Sequence, residues 1–163
     1  MLLKPKFSHL PDAFHLQKVT WQLFGTCTMR LQSTSSQILR KTIATIRHVS
    51  RRYSRKVAKQ ILLFCKFEGC PELLHAHFLM AGIPEHLDAK QFGADFGRYW
   101  ARHAGNCHVV PYDPALDGIG YVTKYDYDAD LPDPYYSPAL IKHLTSGDIA
   151  PVGKVFSQTS RCR

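Results

Sequence analysis

An α+β domain, with flanking helices on an antiparallel central sheet in split βαβ order, is the fold class this sequence predicts. Three observations lead there. Apolar and β-branched runs alternate with segments of helical periodicity in the order strand, helix, strand, strand, helix, strand. Two of the strand-like runs are separated by only Cys70, Pro71 and Glu72, which is the pattern of an antiparallel hairpin. A length of 163 residues suits one well-cored domain, on the usual scale of about 100 to 200 residues each.

The elements follow in order. KVTWQLFGTCTMR (18–30) predicts a strand, rich in aromatic and β-branched residues and interrupted by Gly25. Ser35 or Ser36 then offers an N-cap for a helix through ILRKTIATIRHVSRRY, where Ile38, Ile43, Ile46 and Val49 recur at roughly helical spacing and the opposite face is basic. KQILLFCKFEG (59–69) and LLHAHFLM (73–80) form the hairpin. Pro84 marks the start of a second helix through EHLDAKQFGADFGRYWARHAG, ended by Gly105. NCHVVPYDP supplies the last strand, and DGIGYVTKYDYD follows a turn at Asp117 and Gly118. Beyond Asp130 the prolines at 132, 134 and 138 predict an extended tail with one short helix near ALIKHL. The expected organisation is an N-terminal extension (1–17), a folded domain (18–130) and a proline-rich tail (131–163).

Charge is unevenly distributed within a net of +8, since residues 13–67 carry eleven Lys or Arg and no Asp or Glu, while DYDADLPDPYY (126–136) is acidic. Such a basic stretch attracts polyanions through counterion release, although a basic helix face is often a solvated surface only. Arg47, Arg51, Arg52, Arg55 and Lys56 are the candidate phosphate contacts. The five cysteines are odd in number and irregularly spaced, so reduced thiols are expected, and Cys65 and Cys70 lack a second pair at zinc spacing. No run approaches the roughly 18 apolar residues that span a bilayer, and the amino terminus has no secretory pattern, so no membrane partner is expected.

In a strand, alternation sends His75 and His77 to one face while Leu74, Ala76 and Phe78 take the other. A hairpin turn near residues 71 and 72 sets Glu68 opposite His75 and Lys66 opposite His77. Two imidazoles and a carboxylate on one rigid face can hold a divalent ion as a Lewis acid. The plainer alternative is a pair of satisfied surface histidines. Further on, Tyr121, Lys124 and Tyr125 stand at i, i+3 and i+4 and share one face of a helical turn. A phenol beside an ammonium group suits nucleophilic attack on a phosphate, whereas a tyrosine at helical spacing is more often packing. A metal site, a tyrosine and a basic surface together are what phosphodiester transesterification requires.

These residues resemble the HUH endonucleases, in particular the replication initiators of rolling-circle plasmids, single-stranded DNA phages and viruses. LHAHFLM is similar to their paired-histidine motif, GYVTKY to their YxxK motif in its YxxKY form, and LFGTCTMR (23–30) more weakly to their first motif, a strand with alternating threonines. The resemblance covers residues 23 to about 127. It implies a ferredoxin- or RRM-like HUH fold in which Glu68, His75 and His77 bind Mg or Mn. It also implies that Tyr121 cuts one strand of single-stranded DNA at an origin or hairpin, leaving a 5′-phosphotyrosyl link, with Lys124 on the phosphate. Tyr125 is either a second, alternating nucleophile or a companion of Tyr121 alone. A host polymerase would extend the free 3′-OH and a host helicase would unwind the duplex, in a bacterial cytoplasm or, for a eukaryotic virus, a host nucleus.

Two rivals remain from the same residues. A non-catalytic module for single-stranded nucleic acid also combines a sheet, aromatics such as Phe96, Tyr99 and Trp100, and a basic helix. A single-tyrosine HUH transposase shares the metal and the tyrosine but inserts DNA. An amidohydrolase barrel needs about 250 residues and does not fit.

Overall fold

The computed structural model describes residues 12–69, 73–123 and 132–146. The chain runs α1 (Asp12–Leu16), β1 (Leu23–Met29), α2 (Ser35–Ser50), α3 (Val57–Gln60), β2 (Leu62–Glu68), β3 (His75–Ala81), α4 (Ala89–His103), β4 (Gly105–Pro111), α5 (Gly118–Thr123), β5 (Tyr135–Tyr136) and α6 (Pro138–Ser146). The strands form one five-stranded sheet in the order β4-β1-β3-β2-β5, and every neighbouring pair is antiparallel. The expected α+β class, with helices on an antiparallel sheet, is therefore the one observed.

Helix boundaries differ from the sequence reading where a better cap stands nearby. Thr34, not Ser35 or Ser36, caps α2, because its hydroxyl accepts from the Gln37 N–H while the Gln37 side chain accepts from the Thr34 N–H. The helix stops at Ser50 rather than at Tyr53, whose hydroxyl donates to Asp95 and whose ring stacks on Phe92, drawing the chain out of helical register. Pro84 opens a turn instead of α4, which starts five residues later behind Asp88, whose carboxylate accepts from the Lys90 and Gln91 N–H groups. Gly105 does not end α4 but begins β4, where a Cβ would meet the Thr28 carbonyl at 2.0 Å.

The strand expected from residue 18 starts at Leu23, after a turn in which the Trp21 indole donates to the Leu16 carbonyl at 2.8 Å. Likewise β2 starts at Leu62, because Val57–Gln60 form the short α3. Residues 135–146, expected as extended chain with a short helix, add β5 to the free side of β2 and pack α6 through Leu140 and Leu144. Leu16 of α1 is fully buried in the same cluster.

Alternation sorts the strands into two faces. One face carries Leu23, Cys27, Leu63, Cys65, Ala76, Phe78 and Met80 against α2 and α4, whose Ile38, Ile46, Phe92, Phe96 and Trp100 fill the main core. Gly25 belongs to this face for a steric reason: a Cβ there would lie 2.1 Å from the Phe78 ring, so the glycine gives the phenyl its seat. The other face is apolar only at one end, where Phe64, Leu79 and Tyr136 pack with Leu16, Trp21, Val122 and Leu140. At its other end the sheet bears polar side chains.

Candidate metal centre

The polar end of the sheet is built by register. Glu68 of β2 lies opposite His75 of β3, and Lys66 opposite His77, as the hairpin spacing predicts. On the other flank of β3, Thr26 pairs with His77 and Thr28 with His75, and beyond them β4 adds His108 and Asn106. Directly opposed residues in an antiparallel sheet share a face, so two polar rows cross four strands.

Within these rows one donor atom from each of Glu68, His75 and His77 lies within 4.8 Å of the others. The Glu68 Oε2 atom stands 2.9 Å from His77 Nε2 and 3.8 Å from His75 Nε2. Each imidazole is oriented from behind. His77 Nδ1 is hydrogen-bonded to Thr26 Oγ1 at 2.9 Å, which turns Nε2 toward the carboxylate. His75 Nδ1 lies 3.2 Å from the Leu73 carbonyl, which can only accept, so Nδ1 is the donor there and the ring is turned with Nε2 toward Glu68. Orientation of ligating histidines through the second ring nitrogen is what metal sites use. The donor set of two nitrogens and one carboxylate oxygen, with His77 almost wholly buried and His75 and Glu68 partly open to solvent, therefore suits a divalent ion with positions left for exchangeable ligands.

Tyr121 reaches this centre from α5. Its ring centroid is 4.9 Å from that of His77, edge-on, and 6.0 Å from that of Phe24, while Phe24 itself lies 6.2 Å from His77. The side chain remains 44% exposed. Its placement depends on the chain just before it: Asp117 adopts a left-handed conformation with φ of 46°, its carboxylate accepts from the Gly120 N–H, and Gly118 fits closely against the Tyr112 ring. Burial pushes the Tyr112 phenol above its ordinary value, against a smaller opposing effect of its hydrogen bond with the Ile119 backbone. Lys124 and Tyr125 lie outside the described residues.

The basic candidates do not join this centre. Arg47, Arg51 and Arg55 line, with Lys59, a cleft of about 830 Å³ bordered by α2, α3, β5 and α6. Leu63 and Tyr135, which floor it, belong to the α2 side of the sheet, across from the histidines. Arg52 turns instead to Asp95, with Nη1 3.6 Å from Oδ1, and Lys56 is exposed.

Residues not singled out from the sequence are Thr26 as the orienting group, His108 at the end of the His77 row, and Tyr112 behind α5. The period-two placement of Thr26 and Thr28 was the available signal for the first. Nothing local marks the other two.

Compared with known proteins, the chain matches no family model, no curated protein and no solved structure. Its own residues make a compact α+β domain with a His-x-His and Glu cluster, compatible with a metal-dependent, nuclease-like site. No described helix is long and apolar enough to cross a membrane.

Proposed function

We propose that this protein is an HUH-type endonuclease that nicks and rejoins single-stranded DNA as a replication initiator, with Tyr121 as nucleophile and Glu68, His75 and His77 as ligands of Mg or Mn. The observation that carries it is the edge-on approach of Tyr121 to His77, at 4.9 Å between ring centroids, beside the three-donor cluster. Further support comes from the strand order. The connections β1-α2-β2 and β3-α4-β4 each step over one strand, which is the split βαβ arrangement of ferredoxin-like folds.

A divalent ion held by these ligands would supply Lewis-acid polarisation of a phosphodiester. The chain's own part is positional and nucleophilic. Thr26 and the Leu73 carbonyl hold the imidazoles, and the rigid β2-β3 pair keeps Glu68 between them. The half-exposed Tyr121 phenol gives its proton to solvent and attacks the phosphorus, the bond from phosphorus to the 3′-oxygen breaks, and the 3′-oxygen takes one proton from solvent to leave as a hydroxyl, so the protons balance. The phosphate ester now joins Tyr121 to the 5′ side, and attack by a 3′-hydroxyl reverses the step. Lys124 holds a phosphate oxygen, Tyr125 accompanies Tyr121, and Arg47, Arg51, Arg55 and Lys56 contact phosphates outside the cleavage centre. A host polymerase and helicase complete replication.

The test is a denaturing gel. Labelled single-stranded oligonucleotides from the replicon are incubated with the protein in Mn or in EDTA. A protein-linked band only in Mn, lost in Tyr121→Phe and His77→Ala, is the expected result. Tight binding with no adduct under any divalent ion would make the protein a binding module.

A further inference from the structure

Beside Tyr121, on the side away from Glu68, the sheet edge and α5 border a small half-open cavity of about 290 Å³. Phe24, Tyr112 and Tyr121 give it aromatic walls, Val110 lies on the β4 side, and Leu116 stands at the rim. Two of the large hydrophobic side chains that the fold leaves exposed are here, Leu116 at 77% and Tyr121 at 44%. The polar groups are Thr26, His108 and Asp113. The cavity is firmly backed, because Gly118 could not carry a Cβ without striking the Tyr112 ring at 2.8 Å, and Asp113 is held by the Ala115 N–H at 2.9 Å.

We infer that this cavity receives the base of one nucleotide flanking the attacked phosphate, and so sets which sequence is cut. The inference rests on the nickase reading of Tyr121. Its size is at the lower end of ligand pockets, roughly 300–1,000 Å³, which suits one planar ring system rather than a longer segment. Aromatic and aliphatic walls stack on a base face, while His108, Thr26 and Asp113 meet donors and acceptors on its edge. The Asp113 carboxylate disfavours a phosphate in the same place. Tyr121 is shared between the cavity and the metal centre, so a strand whose phosphate lies at the phenol has an adjacent base within reach.

The experiment is an abasic scan across the cleaved oligonucleotide, scored as the rate of adduct formation in Mn. One position next to the cut phosphate is expected to slow the reaction about tenfold or more when its base is removed. Val110→Phe, which fills the cavity, is expected to slow the intact strand to the abasic rate and leave the abasic strand unchanged. His108→Ala, at an exposed position, gives the same pattern in weaker form and guards against misfolding of the first variant. A flat scan with adducts still forming overturns the pocket and leaves the nickase standing, as does a base dependence that persists in both variants. No adduct on any strand removes the premise and the pocket with it.

Discussion

The two faces of the sheet are made by the same strands yet differ in kind. On β3, Ala76, Phe78 and Met80 enter the core under α2 and α4, while His75 and His77, alternating with them, meet Glu68 on the other side. One face is continuous apolar packing. The other is packed only where α1, α5 and α6 cover Phe64 and Leu79, and beyond Leu79 it gives way to titratable groups. The lesson is that the three clustered side chains borrow their rigidity from core neighbours: His77 sits between the buried Ala76 and Phe78, His75 precedes Ala76, and Glu68 follows the buried Phe67, so the strand backbone that carries them is held from the other face.

If that division holds, damage to the covered face should cost most. Phe78→Ala, which empties the seat over Gly25, is expected to lower stability by about 3–5 kcal/mol in urea unfolding, and metal binding should fail as the strand loosens. A metal at 100 times its dissociation constant should add about 2.7 kcal/mol to the native state; thermal melts should show this gain with Mn in the parent protein and no gain in His77→Ala. Thr26→Val keeps the shape but removes the hydrogen bond that aims His77. It should weaken Mn affinity about 10–100-fold by titration calorimetry, with a smaller change in melting temperature than Phe78→Ala. Tyr121→Phe, at a half-exposed position, should leave stability within about 0.5 kcal/mol while abolishing the covalent product.

The last comparison concerns the covered face and alkaline pH. Burial pushes the Cys65 thiol from 9.0 up to about 12. The folded chain therefore keeps a proton that the unfolded chain releases, so the stability from the neutral thiol is full below 9 and falls as pH rises from 9 to 12. Urea midpoints at several alkaline pH values should fall less steeply for Cys65→Ala than for the parent, and the native thiol should stay unreactive to thiol reagents at pH 8.

Much of the centre was legible because it is local. Glu68 and His75 face each other across a short hairpin, and alternation alone adds His77, so spacing and period determine the cluster. Helix ends were less legible, since Thr34 and Asp88 compete successfully with neighbouring Ser35 and Pro84 for the capping geometry. The contact of Tyr121 with His77 depends on the left-handed turn at Asp117 and on Tyr112 packing against Gly118, neither of which is a periodic signal. The basic residues read as one patch in sequence, but α2 directs Arg47 and Arg51 to a cleft across the sheet while Asp95 draws Arg52 away. Similarly, the pairing of Tyr135 and Tyr136 with β2 is a tertiary choice that the prolines around them conceal.

The most direct measurement is peptide mapping by mass spectrometry after reaction with a cleavable single strand in Mn and in EDTA. A nucleotide mass carried by Tyr121 in Mn, and absent in EDTA, is the predicted result. An adduct on another residue, an adduct formed without metal, or no adduct on strands that the protein binds would contradict the account.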